Sequence, residues 1–494
     1  MGKETELKLS LPSACLPLLK AHAVFQAAEK LGEPKTLDNT YFDTVDLKLQ
    51  RELIAIRTRQ QGDVWLQTVK CASASVGGLS QRPEWEKPYQ GEFDFSDIDL
   101  KPLRKHLQAI QDQLQPVFTT LFTRDTYFLK TESGAEILLM IDQGDILAKG
   151  QQAPLCELEL ELVSGSAQDL LQLAVELAET LPLVPSDISK AERGYRLFRG
   201  EMEQPVKLVD VGLQKQQSPI EAFKALALAC VAQWQGNVQG VLVSTDPEFV
   251  HQLRISHRRL RALLKVFSPL LNKDWVNHWN NAFSENAAVF SDLRDLDVMC
   301  DEVLPKILLQ SSAHDWSVPG LHQLIAARRD QARVILVEHP ALNRQGYLIL
   351  SFIAELQALE CCESKASSSL ALFAFERIDK LRKRCKKAYL AALKQQNEAS
   401  LHTLRIRLKP LRYALEFFMP VMPKKKALQV YEPVVMSVRA LGQINDHHVT
   451  ERVLKGLTVN DSQYQVALAY ISGLQSAALE PQKNAALREL GQLF

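Results

Sequence analysis

The chain has 494 residues, with 58 basic and 58 acidic side chains and 46% hydrophobic residues. This length and composition predict two to four folded domains of about 150 residues, and they exclude a collagen-like, low-complexity or largely disordered protein. The formal net charge of zero is a sum of unequal parts, because residues 1–200 carry 22 basic and 29 acidic side chains whereas the remainder carries 36 and 29. The asymmetry predicts different partners for the two parts.

The first residues, MGKETELKLSLP, lack an apolar core of signal-peptide length. No run of about 18 apolar residues occurs in the chain, so we expect no membrane span and no membrane partner. The eight cysteines are scattered without CxxC spacing, which disfavours a disulfide scaffold or a zinc site. These features predict a cytoplasmic protein with reduced thiols.

Residues 1–200 have the patterns of strands with a few helices. Alternation of polar and apolar side chains predicts strands, and a helical period predicts helices at 16–31 and 167–180. The predicted strands lie at 4–9, 54–59, 65–70, 82–87, 136–142 and 156–162.

One face of these strands is charged. Glu4, Glu6 and Lys8 project together from the first strand, and carboxylates about 7 Å apart can hold a hard divalent cation. Such a sheet either exposes its charged face to water or closes into a barrel with the charges inside. Buried charges need partners or bound ions, so a barrel implies a metal and a polyanionic ligand. Comparable sets recur at Arg57 and Arg59, at Arg82, Glu84 and Glu86, and at Glu157, Glu159 and Glu161.

The opening ExExK, formed by Glu4, Glu6 and Lys8, resembles the signature of the CYTH superfamily, the triphosphate tunnel metalloenzymes. Further matching segments follow in the family's order: YFDT at 41–44, RTR at 57–59, TVK ending at Lys70, RPEWE at 82–86, Arg124, LMIDQG around Asp142, ELELE at 157–161 and SKAERGY with Lys190. The resemblance implies an α+β domain over residues 1–200, in which an eight-stranded antiparallel β-barrel forms a tunnel for triphosphate compounds and a divalent metal, Mg²⁺ or Mn²⁺.

The resemblance also implies roles for the charged residues. Glu4, Glu6 and Lys8 would form the catalytic group, and a water activated by the metal would attack the terminal phosphorus. The implied metal ligands are Glu4, Glu6, Glu84, Glu86, Asp142, Glu157 and Glu159. The implied substrate-binding residues are Lys8, Arg57, Arg59, Lys70, Arg82, Arg124 and Lys190. Phe122 departs from the family, many of whose members have a basic residue there, and Tyr41 belongs either to a segment over the tunnel mouth or to a buried aromatic cluster.

Residues 201–217 are predicted to be a linker, and from residue 218 long amphipathic segments predict an all-α domain. This part contains an internal repeat at an offset of 151 residues. Nine of the 21 positions that begin at His251 and at His402 are identical. A duplicated helical-bundle domain over 218–494 is therefore predicted.

The repeat carries a basic stripe. His251, Arg254, Arg258, Arg261 and Lys265 have spacings of 3, 4, 3 and 4, which place them on one helix face. The second copy has His402, Arg405, Lys409 and Arg412, with Glu416 in place of the last lysine, and a third basic run comprises Arg377, Lys380, Arg384 and Lys387. Two such stripes suit a linear polyanion, whereas the lack of interleaved aromatics argues against sequence-specific nucleic-acid recognition.

The repeated HxxRxxxxxLR segments at 251–261 and 402–412 resemble the CHAD domain, and RDLD at 294–297 and ND at 445–446 follow them. The resemblance implies two helical bundles around a basic groove, with inorganic polyphosphate as the ligand. An ExxH metal pair at Glu248 and His251 is disfavoured, because the second copy has Ala399 in place of the glutamate.

The whole chain is similar to bacterial CYTH–CHAD inorganic triphosphatases. This similarity implies metal-dependent hydrolysis of inorganic triphosphate to diphosphate and phosphate in the tunnel, with polyphosphate bound by the helical domain. The alternatives are a class IV-type adenylyl cyclase, a thiamine triphosphatase, or a non-catalytic polyphosphate-binding adaptor.

Overall fold

The computed structural model describes residues 2–71, 75–310, 317–360, 369–455 and 462–494. These residues form two compact units. The first comprises Met1–Gln204 together with Asn343–Ala358, and the second comprises Pro205–Leu342 together with Leu359–Phe494. The segment Asn343–Ala358 thus lies in the first unit although it is flanked in sequence by the second, an arrangement that the sequence did not predict.

The first unit is built on an antiparallel sheet. Strand β1 pairs with both β6 and β9, so eight long strands close into a barrel in the order β1-β6-β5-β4-β3-β7-β8-β9. The short strands β2 and β10 pair with β7 and β1. The predicted eight-stranded barrel is confirmed. The strands are β1 Gly2–Ser10, β2 Glu29–Lys30, β3 Lys35–Asp43, β4 Ile54–Gln61, β5 Val64–Cys71, β6 Leu79–Pro88, β7 Gln115–Lys130, β8 Glu136–Ala148, β9 Gln151–Ser164 and β10 Val184–Pro185.

The alternation of side chains separates the two faces of the barrel wall. Leu7, Leu9, Leu158 and Leu160 are fully buried on the side opposite the charged residues, where helix α5 packs on β1 and β9. Removing this apolar area from water stabilises the closed barrel and leaves the polar face of each strand inside. The helices of the first unit are α1 Leu16–Ala21, α2 Ala23–Ala27, α3 Lys48–Arg51, α4 Lys101–Ile110, α5 Ala167–Thr180, α6 Lys190–Arg199 and α14 Gln345–Ala358.

Helix α14 packs on α5 and β10. Its Gly346 is required by a close approach, because a Cβ atom there would lie 1.6 Å from the Leu183 carbonyl oxygen. The Gln168 side chain donates a hydrogen bond of 3.3 Å to the Ala354 carbonyl. Buried apolar residues, among them Phe352 and Ile353, complete the contact, so α14 is part of the packing around the barrel.

The second unit is helical, as predicted. The two copies of the repeat correspond to α8 and α16, each of which ends in a short 3₁₀ turn, at Ser268–Leu270 and at Met419–Val421. Helices α8 and α16 pack against each other, with the Phe267 and Phe418 ring centroids 5.5 Å apart. The helices are α7 Pro219–Val243, α8 Pro247–Phe267, α9 Lys273–Val289, α10 Ser291–Val298, α11 Leu304–Gln310, α12 Ser317–Val337, α13 Pro340–Asn343, α15 Leu370–Gln395, α16 Glu398–Phe418, α17 Lys424–Lys455 and α18 Ser462–Gly491. In the part of the chain that the structure describes, no helix combines the length and apolarity that crossing a membrane requires.

Candidate functional site

The barrel encloses a cavity of about 830 Å³, which we call the tunnel. Every long strand except β8 contributes to its described wall, together with the start of α6. The lining brings together most of the charged residues that the sequence singled out: Glu4, Glu6, Lys8, Arg57, Arg59, Lys70, Arg82, Glu84, Glu86, Arg124, Glu159 and Lys190. Asp142 and Glu157 are fully or almost fully buried and lie beside Lys190 at the edge of this set.

Three arginines, Arg57 and Arg59 on β4 and Arg124 on β7, form the most basic part of the tunnel. Burial, together with the nearby charges of Arg57 and Arg124, lowers the pKa of Arg59 to about 10. The Arg57 guanidinium lies 4.0 Å from a Glu84 oxygen, and its charge helps to lower the pKa of the buried Tyr41 hydroxyl against the opposing effect of burial. Clustered guanidinium groups repel one another, so an anion bound between them would be stabilised.

Tyr41 is one of the buried aromatic residues of the barrel. Its exposed fraction is 4%, and its ring stacks on Phe118 with centroids 4.5 Å apart. Phe122, which departs from the family pattern, is also buried, with Arg124 at 5.8 Å and Lys190 at 5.1 Å from its ring centroid. Both rings therefore form part of the tunnel wall beside the basic residues.

Asp142, Glu157 and Glu159 form a buried acidic trio, with ligand atoms within 4.8 Å of one another. The Lys190 ammonium lies 2.7 Å from Asp142 and 2.9 Å from Glu159, and it also pairs with Glu157. Arg124 donates two hydrogen bonds of 2.6 Å to Asp142. Against the opposing effect of burial, all three carboxylates raise the pKa of Lys190, and Asp142 and Glu159 raise that of Arg124. The trio is thus neutralised by cations of the chain itself.

A second acidic group lies where β1 and β9 pair. Glu6 is the direct register partner of Glu161, and Lys8 is that of Glu159, whose carboxylate lies 3.4 Å from the Lys8 ammonium. Burial, with the charges of Glu4 and Glu6, raises the pKa of Glu161 to about 7. Carboxylates that face one another in this way provide the hard oxygen ligands that Mg²⁺ and Mn²⁺ prefer.

Glu161 is absent from the predicted ligand set, although it lines the tunnel. The signal was present, because Glu161 continues the alternation of Glu157 and Glu159 along the same strand. Only the pairing of β1 with β9 reveals that it faces Glu6.

The remaining predicted ligands, Glu4, Glu84 and Glu86, lie on the paired strands β1 and β6. Lys70 bridges Glu4 and Glu84, at 2.9 and 2.6 Å, and burial with the nearby Glu84 raises the pKa of Glu4. Arg82 pairs with Glu6. The Thr68 hydroxyl donates a hydrogen bond of 3.0 Å to Glu86. The seven predicted metal ligands are therefore spread over the tunnel wall and do not form a single cluster.

The second unit contains a cavity of about 1230 Å³, which we call the groove. Seven cations of the predicted stripes line it: Arg254, Arg258, Arg261, Lys265, Arg405, Lys409 and Arg412. Lys306 and Arg439 add two cations that the repeat did not predict. The two histidines of the stripes, His251 and His402, are not among the lining residues of the groove.

Arg254 and Arg261 of the groove donate hydrogen bonds to neutral groups. Arg254 donates hydrogen bonds to the Ala287 carbonyl at 3.1 Å and to the Ser291 hydroxyl at 2.5 Å. Burial lowers the pKa values of Arg254 and Arg261. Arg412 is different, because it pairs with Glu416 at 2.8 Å. The substitution of lysine by glutamate in the second copy thus reduces the charge of that stripe.

Of the two motifs that follow the copies of the repeat, RDLD at 294–297 lies close to charged partners. Asp295 pairs with Arg452, and a buried oxygen of Asp297 lies 3.8 Å from Arg333. The side chains of Asn445 and Asp446 lie outside the described residues. Arg377, from the third basic run, donates a hydrogen bond of 3.0 Å to the Lys265 carbonyl.

Comparison with protein families agrees with the division into two parts. The CYTH domain family matches residues 2–195, where the barrel and tunnel lie, and the CHAD domain family matches residues 225–455, which include both copies of the repeat. The chain contains a CYTH domain followed by a CHAD domain. Together the two matches cover the tunnel residues and the groove residues described above.

Known proteins resemble each domain. An inorganic triphosphatase of Haemophilus influenzae is 35% identical over 202 residues, which are 40% of this chain and 55% of that protein. The chain thus spans about half the length of this curated relative. A crystal structure of the CHAD domain from the plant Ricinus communis is 24% identical, covers 59% of this chain and 97% of its own, and has a TM-score of 0.49. PptA from Streptomyces chartreusis is 16% identical, with a TM-score of 0.44 over 56% of this chain and 100% of its own.

Proposed function

We propose that the CYTH domain hydrolyses inorganic triphosphate to diphosphate and phosphate with a divalent metal. One observation carries the proposal: a closed barrel places the mutually repelling guanidinium groups of Arg57, Arg59 and Arg124 in the same cavity as facing carboxylates. A compact polyanion with a bound cation complements both groups at once. The match to an inorganic triphosphatase over 202 residues supports this choice of substrate.

The facing carboxylates fit a divalent metal. Glu4, Glu6 and Glu161 offer hard oxygen donors, and the pKa of about 7 for Glu161 reflects burial and the like charges of Glu4 and Glu6, which a bound cation would offset. The acidic trio fits less well, because Lys190 and Arg124 contact all three of its carboxylates. Although Glu4 and Glu6 pair with Lys70 and Arg82, Glu161 has no ion pair with a cation in the described part of the chain. A bound divalent cation would supply Lewis acidity to the phosphate oxygens and an activated water.

The basic residues would bind and orient the substrate. Arg57, Arg59 and Arg124 would hold phosphate oxygens and stabilise the charge that develops as the terminal phosphoryl group transfers. The oxygen of water forms the new bond to the terminal phosphorus, and the bond between that phosphorus and the bridging oxygen breaks. Diphosphate leaves with the bridging oxygen. Lys8, Lys70, Arg82 and Lys190 would hold the carboxylates in position and offset the charge of the products.

We further propose that the CHAD groove binds inorganic polyphosphate. The described lining of the groove contains many cations and few carboxylates, so it suits a linear polyanion without a metal. Its cations come from both copies of the repeat, so successive phosphates would contact α8 and α16. The exposed His402 and the half-buried His251 lie outside this contact set.

A substrate panel tests the enzymatic proposal. Purified full-length protein with Mg²⁺ or Mn²⁺ receives tripolyphosphate, thiamine triphosphate and ATP in parallel, and phosphate, diphosphate and cyclic AMP are measured. We expect the highest kcat/KM with tripolyphosphate. Cyclic AMP and diphosphate from ATP, without phosphate from tripolyphosphate, would instead assign an adenylyl cyclase. A preference for thiamine triphosphate would assign a thiamine triphosphatase, and no reaction with retained polyphosphate binding would assign an adaptor.

A further inference from the structure

Asn39 lies beside Arg59 on the inner face of the barrel wall, although it is not one of the residues that line the tunnel. It is fully buried in the middle of β3, in register with Arg59 on β4 and with Thr120 on β7. Its amide nitrogen donates hydrogen bonds of 3.2 Å to the Thr120 carbonyl and 3.1 Å to the Thr120 hydroxyl. Its amide oxygen accepts a hydrogen bond of 2.8 Å from Arg59 Nε.

The chemistry of the partners fixes the orientation of this amide. A backbone carbonyl can only accept, and a guanidinium can only donate, so the Asn39 oxygen must face Arg59 and its nitrogen must face Thr120. All three groups lie in one row across three hydrogen-bonded strands. The barrel therefore holds Arg59 Nε rigidly and leaves the rest of the guanidinium towards the tunnel, which Arg59 lines.

Arg59 differs from the other tunnel arginines in its partners. Arg82 and Arg124 form ion pairs with carboxylates, and Arg57 lies 4.0 Å from Glu84. Within the described side chains, no carboxylate lies within ion-pair distance of Arg59, and its hydrogen bond goes to the neutral amide of Asn39. A neutral acceptor orients a guanidinium without cancelling its charge, whereas an aspartate would do both.

We propose that Asn39 is a positioning residue that aims Arg59 at a phosphate of the substrate while leaving its positive charge uncompensated. The proposal rests on the proposed function of the tunnel, because it names Arg59 as a phosphate contact there. It accounts for a buried amide at this place in the barrel wall, where an apolar side chain would leave Arg59 Nε without an acceptor. Asn39 acts only through Arg59 and does not itself contact the substrate.

A double-mutant cycle tests this role in the full-length protein. Asn39→Ala and Arg59→Ala are made singly and together, and the KM and kcat for tripolyphosphate are measured with Mg²⁺. Asn39→Ala is expected to raise KM on the order of tenfold in the native background, because Arg59 loses its orientation. In the Arg59→Ala background the same change is expected to have less than about a twofold effect. Equal effects in both backgrounds would show a structural role and overturn the proposal.

Two further variants separate positioning from stability. Asn39→Asp keeps an acceptor for Arg59 but adds a negative charge, so KM should rise even if Asn39→Ala fails to fold, and an unchanged KM would overturn the proposal. Gln67→Ala is the matched control, since Gln67 is a buried amide of the same barrel that pairs with the Asp94 backbone and does not line the tunnel. It should lower the unfolding temperature without raising KM.

The test of the Asn39 role can be separated from a failure of the enzymatic proposal. If the native protein binds tripolyphosphate but does not hydrolyse it, the cycle is measured on the dissociation constant from calorimetry with EDTA. Coupling between Asn39 and Arg59 in binding would then support the positioning role while the hydrolytic function fails. A native protein that neither binds nor hydrolyses tripolyphosphate would overturn both.

Discussion

The tunnel and the groove hold their positive charges in different ways. In the tunnel most cations lie against carboxylates, as Lys190 does with Asp142, Glu157 and Glu159. In the groove, Arg254 donates hydrogen bonds to the neutral groups of Ala287 and Ser291, and Arg261 donates one to Asn280. Burial inside a closed barrel requires compensation of charge, whereas a groove open to water does not.

This difference shows how one chain with no net charge can contain two cavities that we propose as sites for polyanions. A tunnel that carries its own carboxylates can select a ligand that brings a cation with it. A groove lined by cations from both copies of the repeat would instead favour a ligand of high length and charge density. Each prediction below changes one side of this comparison and leaves the other in place.

The largest effect is expected from Glu4→Gln combined with Glu6→Gln. The change removes two of the carboxylates proposed to hold the metal, so tripolyphosphate hydrolysis should fall on the order of 10⁴-fold. Phosphate release is the measurement, and polyphosphate binding by the groove should persist. Thr5→Ala, on the opposite face of β1, is the control and should retain activity. Hydrolysis that survives the double change would remove these residues from the site.

Lys190→Met should strongly destabilise the barrel. The change leaves the buried Asp142, Glu157 and Glu159 without their shared cation, and breaking a buried ion pair costs about 3–5 kcal/mol. Chemical denaturation measures the loss, and added Mg²⁺ should restore part of it. Lys130→Met is the control, because Lys130 is 67% exposed in its pair with Glu136, and such pairs contribute less than about 1 kcal/mol. Equal losses in both variants would contradict the account of the trio.

The helical unit should be sensitive to acid through His257. The ring is fully buried between Trp234 and Phe283, hydrogen-bonded to Leu253 and Asn286, and burial lowers its pKa to about 4. The unfolded chain takes up the proton near pH 6.5, so the unfolding free energy should fall as the pH decreases from about 6.5 to 4.

The second copy of the repeat supplies the test variant, since Leu408 occupies the equivalent position. His257→Leu should reduce the fall in unfolding free energy between pH 6.5 and 4.5 by about 2–3 kcal/mol. Burial raises the pKa of Asp297 to about 6, so this carboxyl changes stability in the opposite sense. It does so equally in the native protein and in His257→Leu. The exposed His278→Leu is the control, and it should keep the native slope. If the unfolding free energy of His257→Leu fell with pH as steeply as that of the native protein, the prediction would be contradicted.

The smallest effect is expected in the groove. Arg254→Ala combined with Arg405→Ala removes one cation from each copy of the repeat, and polyphosphate affinity should fall about tenfold at low salt. The plot of log affinity against log salt should become shallower by about 1.4, at about 0.7 per lost contact. Lys386→Ala combined with Lys394→Ala, two exposed cations of α15 outside the groove lining, is the control. Unchanged affinity and slope in the arginine variant would place the polyphosphate elsewhere.

The sequence was sufficient to predict the charged strand faces and the stripes, because both depend on local periodicity, whereas the closed eight-stranded barrel was predicted only from the resemblance to the CYTH family. The alternation at Glu4, Glu6 and Lys8 defines one face of a strand wherever that strand pairs. The partners of each strand are a tertiary property, which is why the facing of Glu6 and Glu161 and the row from Arg59 through Asn39 to Thr120 emerged only from the register. The placement of α14 against α5 could not be predicted, because its apolar face fits any buried surface.

The most direct test of the central claim follows tripolyphosphate by ³¹P NMR with the full-length protein, in Mg²⁺ and in excess EDTA. The account predicts that diphosphate and phosphate appear in equal amounts in Mg²⁺ and that neither appears in EDTA. Tripolyphosphate that stays intact in Mg²⁺, or that is hydrolysed at the same rate in EDTA, would contradict a metal-dependent triphosphatase in the tunnel.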